Sequence, residues 1–210
     1  MRNRTLLALA TAAALAAPGL ASADAWSLTV GVWGGVSRYD VLGLKHGSYA
    51  VSSQEGRDLL DGNFNAMGAS AVLRLGWLDL GLLYEGTLID TKATSEVVTP
   101  LVGFRWDLTE RLGLDVLGEL GGHRIDDIGS GRGDLVGPSK TAWLPYVGLR
   151  PTLSYRLPVG PVGLVLSAAP FARWDLVKKE VSVTTIGGAA PVYEAGGTTF
   201  GLVGGVGIEL

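Results

Sequence analysis

The sequence contains no cysteine among its 210 residues. Disulfide bonds, cysteine-ligated zinc sites and thiol catalysis are therefore excluded. From residue 24 onward it also lacks any run of 18 consecutive apolar residues, and this absence argues against membrane-spanning helices. Basic residues are fewer than acidic ones, 17 against 20, so the charge balance argues against nucleic-acid binding.

The first 23 residues have the composition of a secretory signal peptide. Arg2 and Arg4 form a basic start, residues 5–17 are apolar, and residues 21–23 read Ala-Ser-Ala, a small-residue cleavage site. We therefore expect residues 1–23 to be a cleaved signal peptide. Residues 24–210 are then expected to form one domain, since their number suits a single domain.

This remaining part has a high mean hydropathy, +0.32 over the chain, and its apolar residues alternate with polar ones. In the first segment, Trp26, Leu28 and Val30 fall on one face, whereas Ser27 and Thr29 fall on the other. A period of two residues predicts β-strands. The eight predicted strands cover about 26–39, 65–76, 80–88, 97–107, 112–123, 145–156, 162–175 and 199–210.

The connections between these strands are alternately short and long. Three short turns are predicted near residues 77, 109 and 159, and four longer connections near 40–63, 89–96, 124–141 and 176–197. This pattern is typical of transmembrane β-barrels of the bacterial outer membrane. We predict an all-β fold, a closed eight-stranded antiparallel up-and-down transmembrane β-barrel with both termini in the periplasm.

The aromatic residues of the apolar face lie at the ends of the predicted strands. Tryptophan and tyrosine prefer the two membrane–water interfaces, and a soluble β-sandwich, the alternative fold, gives no reason for such sorting. Trp33 lies on the polar face, and we interpret it as filling the lumen. The predicted aromatic girdles consist of Trp26, Trp77, Trp106 and Tyr155 at the short-turn end, and Trp143, Trp174 and Phe200 at the long-loop end.

These patterns resemble the small eight-stranded outer-membrane proteins, the OmpA-, OmpX- and OmpW-like barrels. The final strand, FGLVGGVGIEL, is similar to the signal read by the outer-membrane assembly machinery, although it ends in Leu210 instead of an aromatic residue. The resemblance implies a location in the bacterial cell outer membrane. It also implies outer-membrane lipids, lipopolysaccharide and the assembly machinery as partners.

Charged residues of both signs fall on the predicted inner face. Eight strands enclose a space that side chains can fill, so these charges form either a salt-bridged plug or a polar path with a gate. Arg105 and Asp115 are equidistant from Glu110 and should stand opposite each other. The predicted ion-pair or gate residues are Glu85, Glu119, Arg150, Arg105, Asp115, Arg74 and Arg173.

Three functions are compatible with this reading. A structural or surface-binding barrel with exposed loops is the first, and a narrow channel or transporter for small amphipathic solutes is the second. The third, a lipid-modifying enzyme, is disfavoured because His123 is followed by Arg124, Ile125 and Asp126, with no serine two residues on. We expect no enzymatic activity, no cofactor and no metal site, and the identity of a small-molecule ligand stays open.

Overall fold

A computed structural model describes residues 26–46, 66–88, 94–128, 140–184, 186 and 192–210. The predicted signal peptide and much of the connection between the first two strands lie outside these residues. No helix among the described residues is long and apolar enough to cross a membrane. The described residues form nine β-strands: β1 Trp26–His46, β2 Ala66–Leu75, β3 Leu78–Leu88, β4 Thr94–Asp107, β5 Leu112–Ile128, β6 Lys140–Val159, β7 Val162–Asp175, β8 Lys179–Ser182 and β9 Val192–Glu209.

Eight of these strands close into an antiparallel barrel. Each strand from β1 to β7 pairs with the next, β7 pairs with β9, and β9 pairs back with β1. At the seam, Leu28 and Leu210 exchange backbone hydrogen bonds of 3.2 and 3.0 Å. Closure pairs every strand of the wall on both sides, so no open sheet edge is left. The predicted all-β, closed eight-stranded barrel is confirmed.

The short turns lie where the sequence predicts them. Gly76 and Gly160 adopt φ values of 62° and 63°, a left-handed conformation that costs glycine little. Between β4 and β5, the Thr109 hydroxyl accepts hydrogen bonds from the backbone N–H groups of Arg111 and Leu112, at 3.3 and 3.0 Å. These turns define one end of the barrel, called the short-turn end below; the opposite end is the long-loop end.

The strands reach further at the long-loop end than the predicted ends, which were wrong there. β1 continues to His46 instead of stopping near residue 39, and β8 occupies part of the predicted connection 176–197. These extensions pack inward-facing apolar side chains together, and this packing holds them as strands. We call this cluster the apolar cap; it comprises Val41, Ile125, Ile128, Ala142, Leu144, Val183, Tyr193 and Ala195.

Successive side chains along the wall point alternately inward and outward. In β4, for example, Val97, Thr99 and Leu101 are buried, whereas Val98 and Val102 are exposed. The outward face is rich in large apolar side chains, and the inward face collects the charged ones. Outward apolar residues include Val32, Leu80, Leu82, Val98, Val102, Leu120, Leu149, Leu153, Leu166, Leu202, Val206 and Ile208.

Candidate functional site in the barrel interior

The interior is organised in layers, and β5 contributes to each of them. Its inward-facing residues include Asp115, Glu119, His123 and Ile125. Because a strand rises about 3.3 Å per residue, residues four apart lie about 13 Å apart along it. From the short-turn end upward, these residues belong to a polar chamber, a charged plug, a histidine cluster and the apolar cap.

The charged plug consists of two glutamates and two arginines at mid-barrel. Arg150 contacts Glu85 at 3.0 Å and Glu119 at 2.8 Å. Arg173 reaches the same two carboxylates, each at 2.5 Å. Each arginine therefore bridges both glutamates, and the four charges sum to zero.

Aromatic side chains surround the two guanidinium groups of the plug. The Arg150 guanidinium carbon lies 4.7 Å from the ring centre of Trp33 and 4.8 Å from that of Phe171. Arg173 lies 4.6 Å from the Phe171 ring, and the Tyr146 hydroxyl donates a hydrogen bond of 3.2 Å to Glu119. Stacking of cations on ring faces adds attraction where water is excluded.

Trp33 can occupy the lumen because both of its strand neighbours are glycines. Its register partners are Gly68 on β2 and Gly205 on β9. A Cβ atom at Gly68 would collide with the Trp33 ring. The sequence interpretation of Trp33 as a lumen-filling residue matches this geometry.

The plug is dry and fully paired. The side chains of Arg150 and Arg173 are 5% and 6% exposed, and those of Glu85 and Glu119 are 1% and 0% exposed. Among the described residues, its buried side-chain nitrogen and oxygen atoms all have hydrogen-bond partners. Charges this deeply buried are tolerated only when they are paired in this way.

Below the plug, towards the short-turn end, lies a polar chamber with a cavity of about 100 Å³. Arg74 is central to its charges: it contacts Asp79 at 3.0 Å, Asp115 at 3.3 Å and Glu209 at 3.7 Å. Arg105 contacts Asp115 at 3.2 Å, and the two are direct register partners across β4 and β5, as the position of the turn predicts.

Above the plug lies a cluster of Ser95, His123 and Asp175. Ser95 Oγ is 2.6 Å from His123 Nε2, and His123 Nδ1 is 2.7 Å from Asp175 Oδ1. The backbone N–H of Gly197 donates a 3.0 Å hydrogen bond to Asp175 Oδ2. A cavity of about 10 Å³ borders this cluster, with Arg173 of the plug in its lining.

All seven predicted ion-pair residues therefore line the interior, in two separate groups. Glu85, Glu119, Arg150 and Arg173 meet in the plug, whereas Arg74, Arg105 and Asp115 meet in the chamber. The exposed members of the predicted girdles face outward, and Trp77 stacks on Phe104 with ring centres 5.3 Å apart. The girdle residues with exposed side chains are Trp77, Trp106, Tyr155, Trp143, Trp174 and Phe200.

Two interior residues escaped the sequence prediction. Ser95 fell within a segment predicted as a connection, 89–96, although continuing the alternation of Thr99 and Val97 backward places it on the inner face. Asp79 lies between the predicted turn near residue 77 and the predicted third strand, 80–88, yet it is fully buried and contacts Arg74.

No protein-family model matches the chain, and no curated protein matches it either. Within the described part of the chain, no group of three or more histidine, aspartate or glutamate side chains is arranged to hold a metal ion.

Proposed function

We propose that the chain is a bacterial outer-membrane β-barrel whose lumen is closed by the charged plug. Its role is then structural or surface-binding, carried by the connections at the long-loop end. The buried plug supports this proposal most directly, because its ion pairs join side chains of β3, β5, β6 and β7 across the lumen at mid-barrel. Outer-membrane lipids, lipopolysaccharide and the assembly machinery are the partners that this location requires.

The outward face supports the membrane location. Leu120 is 64% exposed and Val32 is 60% exposed, and such side chains recur around the wall. Soluble monomeric proteins rarely expose an apolar surface larger than a few hundred Å². In lipid, exposure of these apolar side chains carries no free-energy cost. Lipid cannot form hydrogen bonds with the backbone, but the closed wall pairs the backbone N–H and C=O groups with one another.

The polar chamber favours a second candidate function, a narrow channel or transporter for small solutes. The chamber already provides a cavity on one side of the plug, so a path would require only that the plug open. Arg150 and Arg173 each contact two carboxylates, and conduction would need at least some of these contacts to break. A small-molecule ligand of the chamber would then be the transported solute.

Conductance in planar lipid bilayers distinguishes these candidates. We expect refolded protein to give no discrete current steps, because the plug leaves no continuous polar path. Discrete current steps from the unmodified protein would favour the channel function. The variant Glu85→Gln, which removes one plug charge, serves as the positive comparison and should conduct more often than the unmodified protein.

Cell fractionation and surface labelling test the location. The protein should be found in outer-membrane fractions, and an epitope tag at Gly56, which lies outside the described residues, should be labelled on intact cells. A tag in the β4–β5 turn, beside Glu110, is the matched control and should be labelled only after permeabilisation. The reverse pattern would contradict the proposed orientation.

A further inference from the structure

The histidine cluster has the connectivity of an activated serine. Ser95, His123 and Asp175 come from β4, β5 and β7, and both ring nitrogens of His123 are engaged, at 2.6 and 2.7 Å. All three side chains are buried within the upper lumen. Nucleophile, base and orienting acid stand in hydrogen-bonding sequence, which is the geometric signature of nucleophilic catalysis by serine.

The contacts of Asp175 determine which nitrogen of His123 carries the proton. An ionised carboxylate only accepts hydrogen bonds, so His123 Nδ1 donates to Asp175 Oδ1. In a neutral imidazole the other ring nitrogen is an acceptor, so Nε2 of that tautomer accepts the hydrogen bond from the Ser95 hydroxyl. The Gly197 N–H donates to the second carboxylate oxygen, at 3.0 Å, and this contact holds Asp175 in place. The base is thus oriented to take the serine proton.

The cluster also borders a small cavity. This cavity, of about 10 Å³, is lined by Ser95 and His123 and also by Thr199 and the plug residues Arg173 and Glu85. The Thr199 hydroxyl is a hydrogen-bond donor of the kind that stabilises a developing oxyanion, whereas the Arg173 guanidinium is engaged with both glutamates of the plug. A purely structural hydrogen-bond chain would need neither the cavity nor this donor beside it.

We propose that Ser95 is an acyl-accepting nucleophile and that its substrate is an ester with a small acyl group. Ser95 Oγ attacks the ester carbonyl carbon while its proton moves to His123 Nε2. The C–O bond to the alcohol then breaks, and the alcohol leaves with that proton. Water attacks the acyl-serine by the same route, releases the carboxylic acid and returns the proton to Ser95. This inference departs from the sequence-based expectation of no enzymatic activity.

The surroundings of the cluster restrict the substrate and its route. The cavity is at the lower limit for one water molecule, so the acyl group must be small and the lining side chains must move to admit it. The plug closes the route from the short-turn end. Leu144 of the apolar cap is the register partner of His123, so a substrate must pass the cap from the long-loop end.

Acylation by p-nitrophenyl acetate tests the proposal. Refolded full-length protein in detergent should gain one acetyl group, mapped to Ser95 by peptide mass spectrometry, with release of p-nitrophenol. Ser95→Ala should abolish this acylation. His123→Gln should slow it by roughly 10²-fold or more, the usual contribution of a general base. p-Nitrophenyl decanoate should react far more slowly, because its chain is too long for the cavity.

Two further variants serve as controls. Ser167→Ala removes another inward-facing serine, on β7 opposite Ser154 and Gly205, and should leave the acylation of Ser95 unchanged. Leu144→Ala widens the route through the cap and should accelerate acylation several-fold. Circular dichroism verifies that each variant keeps its β-sheet content.

The outcomes are distinct. Acetylation of Ser95 that depends on His123 supports the proposal. Absence of both a Ser95 ester and p-nitrophenol release in the unmodified protein and in Leu144→Ala would overturn it, as would acylation that Ser95→Ala retains at full rate. Because bilayer conductance depends on the plug, it tests the proposed function separately.

Discussion

The plug and the polar chamber share strands β3, β5 and β6 and contain the same kinds of charge, yet they differ in pairing and exposure. In the plug, both arginines bridge both glutamates, and every side chain is at most 6% exposed. In the chamber, the side chains of Arg74 and Arg105 are 16% and 11% exposed, and that of Arg156 is 49% exposed. One buried atom there, Asp79 Oδ2, has no hydrogen-bond partner among the described residues.

Because of this difference, ion pairs in the two regions should contribute differently to stability. A buried pair gains little over apolar packing, but losing one partner is costly because the other charge stays in a dry place. An exposed pair is screened by water and contributes little in either case. We therefore expect the plug to determine closure and stability, whereas the chamber mainly keeps the lumen polar.

The largest expected effect comes from removing one plug arginine. Arg173→Met leaves Glu85 and Glu119 short of a cation and should lower the free energy of unfolding by about 3–5 kcal/mol. Arg156→Met is the matched control in the chamber and should cost less than about 1 kcal/mol. Urea unfolding in lipid vesicles measures both values. Equal losses of unfolding free energy would contradict the expected difference in stability contribution between the plug and the chamber.

The second-largest effect is expected from a charge placed on the outward face of a strand, compared with a charge placed on its inward face. Leu149→Arg places a charge on the outward face of β6 near mid-barrel and should cost roughly 2–4 kcal/mol in lipid. Thr152→Arg points into the polar chamber, where carboxylates can pair with the added charge. This substitution should therefore lower the free energy of unfolding by less. Unfolding in vesicles gives the difference. A larger loss from Thr152→Arg would mean that the chamber is as dry as the plug.

A third prediction concerns the pair within the chamber. Arg105→Ala and Asp115→Ala should each destabilise the barrel, and the double variant should recover part of the combined loss. Contacting residues usually show coupling energies of about 0.5–3 kcal/mol. We expect a value in the lower half of this range, because Asp115 also contacts Arg74 at 3.3 Å. Strictly additive losses would contradict a direct interaction.

The smallest effect is expected at the exposed long-loop end. Lys178 contacts Glu194 at 2.7 Å but is 63% exposed, so Lys178→Ala should change the free energy of unfolding by less than about 1 kcal/mol. The same denaturation experiment applies. A loss of unfolding free energy comparable to that of Arg173→Met would show that an ion pair stabilises the barrel equally whether it is buried or exposed.

Local features of the barrel could be predicted from the sequence. The period of two residues assigned Leu149 to the outer face and Arg150 to the inner face. The turn centred near Glu110 placed Arg105 opposite Asp115, because a hairpin pairs residues equidistant from its turn. The predicted strand ends at the long-loop end were wrong, because the apolar cap that holds the extensions brings together side chains from segments far apart in the sequence.

The sequence by itself determined the strands, their two faces, the short turns and the registers beside them, because each follows from neighbours along the chain. Only the tertiary structure decided which distant side chains meet. Arg173 and Glu85 are 88 residues apart in the chain, and Ser95 meets Asp175 only through His123. Closure of the wall sets these cross-lumen contacts, and its stagger and diameter are collective properties of all eight strands that no local pattern encodes.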